Sequence, residues 1–555
     1  MTMRRLAYLC ALAAAALAAA PKPLPHRWVY VVRTLRSDQD LEEVRQIART
    51  ASEHGLNGLV LSGGLDRLER EPEGTVERLR KLKEICAQYK LELIPQIFSA
   101  GYGSGVLAFD KNLAEGLPVS AAPFTVHNGE ARIEPDAELQ IVNGDLEDST
   151  GNTARGFQLQ EQPGTVSFVD TGVPHRGKAS LRFENFPANP SGHGRLMQEV
   201  AVKPHRLYRF TCWVKTDSLA PADKFAVRVL SLTGRNVAPA NLRVPSTGDW
   251  QKVQIGFNSL NESRVRIYVG IWGGKAGKFW LDDLGIEEIA LTNVLRRPGT
   301  PVTVRDASSG AVYEEGRDYL RIEDPALNFR FDREGPSIRL AAGSRIREGR
   351  KLAVDYYHGM GVNSGQVSVC MSEPRLYEIW REQARRLHEA IAPDTYLLSM
   401  DEIRAGGSDV ACKQRHMTMG EILGDCFTKQ FQMLRALNPK ATVWTWSDML
   451  DPNHNAHGNY YLVDGDYTGS WEHIPREMHI MCWYFEKRRL SLDFFSKLGF
   501  VTAAGAYYDA DTLENPKGWL DALDATPNAA GIMYTTWQRK YGLLAPFGDL
   551  VANRP

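Results

Sequence analysis

The sequence predicts an α/β chain: a (β/α)8 TIM barrel interrupted by an all-β sandwich. Strand and helix patterns alternate at both ends of the 555 residues, which implies a parallel sheet. The middle holds short strands punctuated by turns and no long helix. Three strands before that middle and five after it make the eight that close a barrel.

The chain opens with Arg4 and Arg5, an apolar Ala/Leu run, and the small residues Ala18 and Ala20 in an A-x-A arrangement. This reads as an export signal over residues 1–20, so the expected location is secreted or periplasmic. The run is shorter than the ~20 residues a membrane helix needs, and no later segment is apolar enough, so no span is expected after the signal is removed. Residues 21–138 form the first barrel segment. "WVYVVRT" is a strand by its β-branched content, and "DLEEVRQIARTASEHG" is an amphipathic helix ending at Gly55. Strand "LNGLVLSG", helix "TVERLRKLKEICAQYK" and strand "LELIPQIFS" continue the rhythm.

From 139 to 290 the pattern is "GTVSFVD", "ASLRFENF", "RLMQEVAV", "LYRFTCWVKT", "KFAVRVLSL", "DWQKVQIGF", "RVRIYVGIW" and "GKFWLDDLGIEEI", the signature of a two-sheet sandwich. A loop after the third barrel strand accepts such an insertion because its ends stay close, and the sandwich is expected to be dispensable for chemistry. Residues 291–360 read as hairpins packed on the sandwich or the barrel rim. The last five strands fall in 361–555. They follow a helix, "PRLYEIWREQARRLHEAI", with Ser372 as expected N-cap and Pro374 in the first turn. The strands are "TYLLSMDE", "ATVWTWSDM", "MHIMCWYF", "FVTAAGAYYD" and "AAGIMYTTWQ".

Hydrophobic residues at 43% provide for a large core, and a net charge of -1 gives no basic patch for nucleic acid. Beyond the signal, six cysteines are scattered without a C-x-x-C pair, so neither a zinc pattern nor a disulfide scaffold is expected. A Cys412–Cys426 bridge and buried free thiols both remain open. His454 and His457 lack a third ligand and read as loop residues, so no catalytic metal or other cofactor is expected.

In a barrel of this kind the chemistry sits at the C-terminal ends of the strands. The fourth strand ends in Asp401 and Glu402, and the fifth in Trp444, Trp446 and Asp448. The sixth ends in Trp483 and Tyr484, the seventh in Tyr507, Tyr508 and Asp509, and the eighth in Trp537. Two consecutive acids after the apolar "YLLSM" are costly unless they face a polar site. Like charges so close raise one pKa, which leaves Glu402 as an acid that keeps its proton. Acids ringed by aromatic rings are what hydrolysis of a glycosidic bond needs, because flat rings stack on sugar faces and acids act on the bond. An oligosaccharide or polysaccharide is the expected partner.

Two resemblances refine this. "IVNGDLED", "GKASLRF", "GDWQKVQI" and "FWLDDLGIEEI" resemble the jelly-roll carbohydrate-binding modules of families 4, 9 and 22, which implies a structural calcium near Glu147 and Asp282. The segment "SEPRLYEIWREQARRLHEAIAPDTYLLSMDEI", with "TVWTWSDML", "GAYYDAD" and "GIMYTTWQ", resembles family 20 glycoside hydrolases, the β-N-acetylhexosaminidases. That resemblance implies substrate-assisted retaining catalysis. Asp401 would orient the 2-acetamido group that attacks the anomeric carbon, Glu402 would protonate the leaving oxygen, and Tyr508 would bind the acetamido carbonyl. Trp446, Trp483 and Trp537 would form the walls, with Asp448 and Asp509 beside them and Arg33 gripping sugar hydroxyls. The chain departs from the family pattern in having "LLSM" before the acid pair and Gln538–Arg539 after the last Trp. Two other readings stand beside it: a glycosidase on sugars without the acetamido group, pairing Glu402 with Asp448 or Asp509, and a carbohydrate-binding protein without catalysis.

Overall fold

A computed structural model describes residues 24–363 and 365–554. The expected export segment lies outside them. Eight parallel strands close into a barrel: β1 (His26–Val32), β2 (Gly58–Ser62), β3 (Glu92–Ile97), β4 (Thr395–Leu398), β5 (Thr442–Trp446), β6 (His479–Cys482), β7 (Thr502–Tyr507) and β8 (Ala529–Thr535). Closure comes from parallel pairing of β1 with β8. The barrel is filled by inward side chains from alternate strand positions, among them Trp28, Tyr30, Val60, Ile94, Leu397, Trp444, Met481 and Met533. Gly58 makes room for this filling: it lies in register with Trp28, and a Cβ there would stand 2.3 Å from the indole.

Around the barrel run α1 (Asp38–Glu53), α2 (Thr75–Gln88), α3 (Pro374–Ile391), α4 (Met419–Leu437), α5 (Arg488–Lys497), α6 (Glu514–Asp524) and α7 (Leu544–Ala552). Capping boxes start two of them, Ser37 with Asp40 on α1 and Thr418 with Glu421 on α4. On α3 the N-cap is Glu373, not the expected Ser372, and the Glu373 carboxylate turns to Arg297 instead of capping. The repeat also breaks once. Between β5 and β6 there is no α-helix, only 3-10 turns at Asp448–Leu450 and Ser470–Glu472 and a two-residue strand, Leu462–Val463. The intervening "DPNHNAHGNYYLVDGDYTGS" is too rich in Gly, Asn, Asp and Pro to hold a helix. Among the described residues no helix is long and apolar enough to cross a membrane.

Everything between β3 and α3 is a nested insertion. The outer unit is a six-stranded antiparallel sheet in the order Val312–Tyr313, Thr303–Asp306, Lys351–His358, Leu117–His127, Glu130–Ile133 and Ile338–Arg339. Residues 117–133, expected as a loop of the first barrel segment, are therefore strands of the same sheet as the hairpins expected in 291–360. The pairing of Leu117–His127 with Lys351–His358 is long-range and has no local signal. Inside this unit sits the sandwich. One sheet runs Gly248–Asn258, Leu207–Ala220, Ala276–Glu288, Ser180–Phe183, Ser167–Asp170; the other runs Phe225–Ser231, Arg264–Ile271, Gly194–Ala201, Leu159–Gln160.

One apolar core runs through the sandwich and the six-stranded sheet, joining Phe210, Val253 and Phe257 to Leu291, Val354 and Tyr356 and reaching Ala405 and Leu462 of the barrel loops. Polar ties reinforce it. Asn258 donates to the Pro118 carbonyl at 2.9 Å, and Arg235 donates to the carbonyls of Tyr461 and Val463, each at 3.0 Å, in the helix-free β5–β6 connection.

This continuity bears on the expectation that the sandwich is dispensable for chemistry, because its loss would uncover the six-stranded sheet. Replacing residues 139–290 with a flexible linker should lower the melting temperature and increase binding of a dye for exposed apolar surface, because the sheet loses its covering layer. An unchanged melt would show that the two β units are energetically independent.

Candidate functional site

The C-terminal ends of the strands surround a cavity of about 490 Å³. β1 supplies Tyr30, β2 leads to Ser62 and on to Asp66, and β3 leads to Ser99 and Tyr102. β4 supplies Ser399, Asp401 and Glu402; Trp446, Trp483, Tyr508 and Trp537 follow from β5 to β8.

Four rings close on one another as a cage. Trp446 and Trp483 stand 6.5 Å apart, Trp483 and Tyr508 6.0 Å, Tyr508 and Trp537 6.1 Å, and Trp537 and Trp446 6.0 Å between centroids. Trp446 is buried at the base, whereas Tyr508 and Trp537 are 46% and 41% exposed at the rim. Large apolar rings left open at a cavity mouth mark a binding surface more than a core.

The backbone here departs from ordinary strand geometry. Glu402 has φ 51°, and Tyr507, Tyr508 and Asp509 have φ 79°, 55° and 60°, all left-handed. Such residues cost of order 1 kcal/mol or more each and persist only where surrounding contacts dictate them. Those contacts are present. The Asp448 carboxylate accepts the Glu402 amide at 2.9 Å, and Asn515 accepts the Tyr507 amide at 2.9 Å. Asp509 accepts the Trp537 amide at 2.8 Å, the Gln538 amide at 3.2 Å and the Thr536 hydroxyl.

The two acids of β4 have different surroundings. Glu402 lies toward the mouth, where exposed Tyr102 donates to it at 2.6 Å and Arg404 pairs with it at 2.8 Å. Asp401 accepts from Ser399 at 3.1 Å, and its charge is felt by buried Tyr30. Burial, then the charges of Asp448 and Glu402, push Asp401 up to about 8. Burial also raises Asp448, to about 6, against the hydrogen bonds donated by Glu402, Asn455 and Trp483. Asp401 is thus raised because burial and two neighbouring carboxylates disfavour its charge. Asp66, a third acid lining the cavity, is also raised by burial.

Several expected site residues are elsewhere. Arg33 pairs with Asp40 and Glu43 of α1 and does not line the cavity. Asp448, fully buried, lies behind the acids as a positioning group, and Asp509 organises the turn after β8. Trp444 belongs to the barrel filling, edge-on to Trp28 at 5.2 Å. His454 packs between Trp483 and Tyr484, and His457 bonds the Gly458 carbonyl. Glu147 accepts the amides of Lys178 and Ala179, and Asp282 those of His175, Arg176 and Asp283; both carboxylates anchor loops. Tyr102, Arg404 and Asp66 were not anticipated, although each follows a barrel strand by a few residues.

No family model matches the chain, and no curated protein matches it. Among solved structures, a CBM4 domain is 19% identical over 27% of this chain and 99% of its own, with a TM-score of 0.20. The CBM22-1 xylan-binding domain from Paenibacillus barcinonensis is 19% identical over 28% of this chain and 95% of its own, with a TM-score of 0.20. A rhamnosidase from Novosphingobium sp. PP1Y is 11% identical over 96% of this chain and 59% of its own, with a TM-score of 0.34. At these values the likenesses bring no activity or ligand to this chain.

The acid pair is braced from one side by Gly101, where a Cβ would stand 2.1 Å from the Asp401 carbonyl oxygen and 2.8 Å from that of Glu402. Backbone atoms cannot step aside cheaply, so Gly101→Ala should cost about 1–3 kcal/mol, the usual range for overpacking, in denaturant unfolding. Wild-type stability in that variant would show that the β3 loop moves freely off the acids.

Proposed function

We propose that the protein is a glycoside hydrolase that removes a 2-acetamido sugar by substrate-assisted catalysis. The observation that carries this reading is the closed four-ring cage of Trp446, Trp483, Tyr508 and Trp537 beside the Asp401–Glu402 pair. A cage this narrow suits a small apolar group such as an acetamido methyl, while the adjacent acids serve its N–H and the scissile oxygen. Asp401, on the inner side, accepts the acetamido N–H, and burial makes its carboxylate a stronger acceptor. Glu402, nearer the mouth where the leaving group exits, gives the proton. In the free enzyme the pair's proton rests on Asp401; once the acetamido N–H occupies Asp401, the proton belongs to Glu402.

The geometry supports this over an enzyme nucleophile at Asp448 or Asp509. Both carboxylates are already engaged by backbone amides, and neither lines the cavity. Asp66 is the remaining cavity carboxylate among the described residues, and a two-carboxylate mechanism would have to use it.

A panel of aryl glycosides with and without the 2-acetamido group tests the proposal. Hydrolysis should be confined to the acetamido sugars and blocked by a thiazoline that mimics the cyclised intermediate. Glu402→Gln should lose ~100–10,000-fold on substrates with poor leaving groups and less on activated ones. Turnover of sugars lacking the acetamido group, with a fluorosugar adduct trapped on Asp66, would move the nucleophile to the enzyme. Glycan binding without any turnover would leave a binding protein.

The pH profile separates the two acids. The proton that Asp401 holds in the free enzyme is the one Glu402 later gives, so kcat/KM falls as pH rises through about 8 and strips it from the pair. Asp401→Asn should abolish this limb along with most activity. A wild-type profile that instead climbs through pH 8 would show that Asp401 must lose its proton to solvent before the substrate binds.

A further inference from the structure

A second cluster of chemically reactive side chains lies away from the cavity. Glu115 precedes the strand Leu117–His127, Cys370 precedes α3, and Asp409 caps the short helix Val410–Lys413 that contains Cys412. All four are buried, and one donor atom from each lies within 4.8 Å of the others. The Cys370 and Cys412 sulfurs are 3.6 Å apart. Two thiolates on a tetrahedral ion at ~2.3 Å stand roughly 3.8 Å from each other, whereas disulfide sulfurs are bonded at ~2.05 Å.

Two observations point to a cation. Glu115 is 3% exposed; one carboxylate oxygen accepts the Ser408 amide at 2.9 Å, and the other faces only the Cys412 thiol at 3.9 Å. The nearest guanidinium, Arg297, is spent on Glu373, on Asp409 and on the carbonyls of Asn112 and Ala114. Three buried carboxylates thus share one positive charge, and Glu115 has no cation in hydrogen-bond contact. A buried charge without a partner is costly, and either a proton or a bound cation relieves it.

We propose that Glu115, Cys370, Asp409 and Cys412 form a closed four-ligand site for a divalent cation of the zinc class. Mixed thiolate and carboxylate donors around one point suit zinc and exclude magnesium or calcium, which take oxygen donors. As the two metal–sulfur bonds form, the two thiols release their protons, and no oxidant or reductant is involved. Four protein ligands leave no open position, so the role is structural. The ion would pin together the entry to the six-stranded sheet, the start of α3 and the segment that directly follows Glu402.

The test uses the full chain purified without chelator and desalted. Elemental analysis should find about one zinc per chain, and cobalt exchanged into the site should give sulfur-to-metal charge-transfer absorption. A strong chelator should lower the melting temperature by several degrees, with recovery on adding Zn2+ alone. Cys370→Ser with Cys412→Ser should abolish both the metal and the cobalt spectrum; where that variant folds poorly, the chelation and cobalt measurements on the wild type stand alone. Alkylation mapping without reductant should label both Cys370 and Cys412. A Cys370–Cys412 disulfide in that map, or reduced thiols that bind no Zn2+ in a calorimetric titration, would overturn the proposal.

Discussion

The Asp448 carboxylate, with no exposed surface, holds the Glu402 amide in a left-handed turn, takes the Asn455 amide group, and receives the Trp483 indole N–H at 3.4 Å. It thereby fixes the backbone that carries both acids and one wall of the aromatic cage. The turn cannot relax to extended backbone without stranding this carboxylate in the barrel, where an unpaired charge costs several kcal/mol. Strain at Glu402 and burial at Asp448 are two sides of one constraint, and the cavity's acids take their direction from it.

The same constraint explains why the β5–β6 connection is not a helix. Asn455, which braces Asp448, lies in that connection, and so do the Tyr461 and Val463 carbonyls that receive Arg235 of the sandwich. A helix would spend its carbonyls on its own amides. An irregular segment leaves them free to dock the insertion. The nested β units therefore bear on the loop that positions the acids, although they enter the chain at a different barrel strand.

Much of this was legible in the sequence, and the misses share a cause. The eight barrel strands were visible because buried parallel strands are continuous apolar runs bounded by helices and glycines. The acids and the cage rings were visible because strand ends are fixed by the fold, so a residue's place in the run says where it points. That logic fails within one residue of the strand: Trp444 and Trp446 alternate in height inside the barrel, and only Trp446 reaches the cavity. Arg33 pairs with Asp40 and Glu43 of α1, while its chain neighbours Val32 and Thr34 line the cavity. Pairing between residues 117–127 and 351–358, and the approach of Glu115 to Cys412 across 297 positions, depend on tertiary closure that no local pattern encodes.

The electrostatics of the mouth follow from counting charges in a confined space. Asp401, Glu402 and Asp448 crowd together with a single nearby guanidinium, Arg404. Like charges a few ångströms apart in low dielectric cannot all ionise, so a proton stays among them. Burial and neighbouring charge come first at Asp401, and hydrogen bonds oppose them. Asp448 receives three donors, Glu402 receives Tyr102 and Arg404, and Asp401 receives the Ser399 hydroxyl and its own backbone amide. Burial and two neighbouring carboxylates hold Asp401 above the usual carboxylate range and favour its protonated form. Under the proposed mechanism, a ligand group donating an N–H to Asp401 would favour its ionised form and release the proton. Binding and proton delivery would then be one coupled event, and a ligand without such a donor would leave the proton where the folded chain put it.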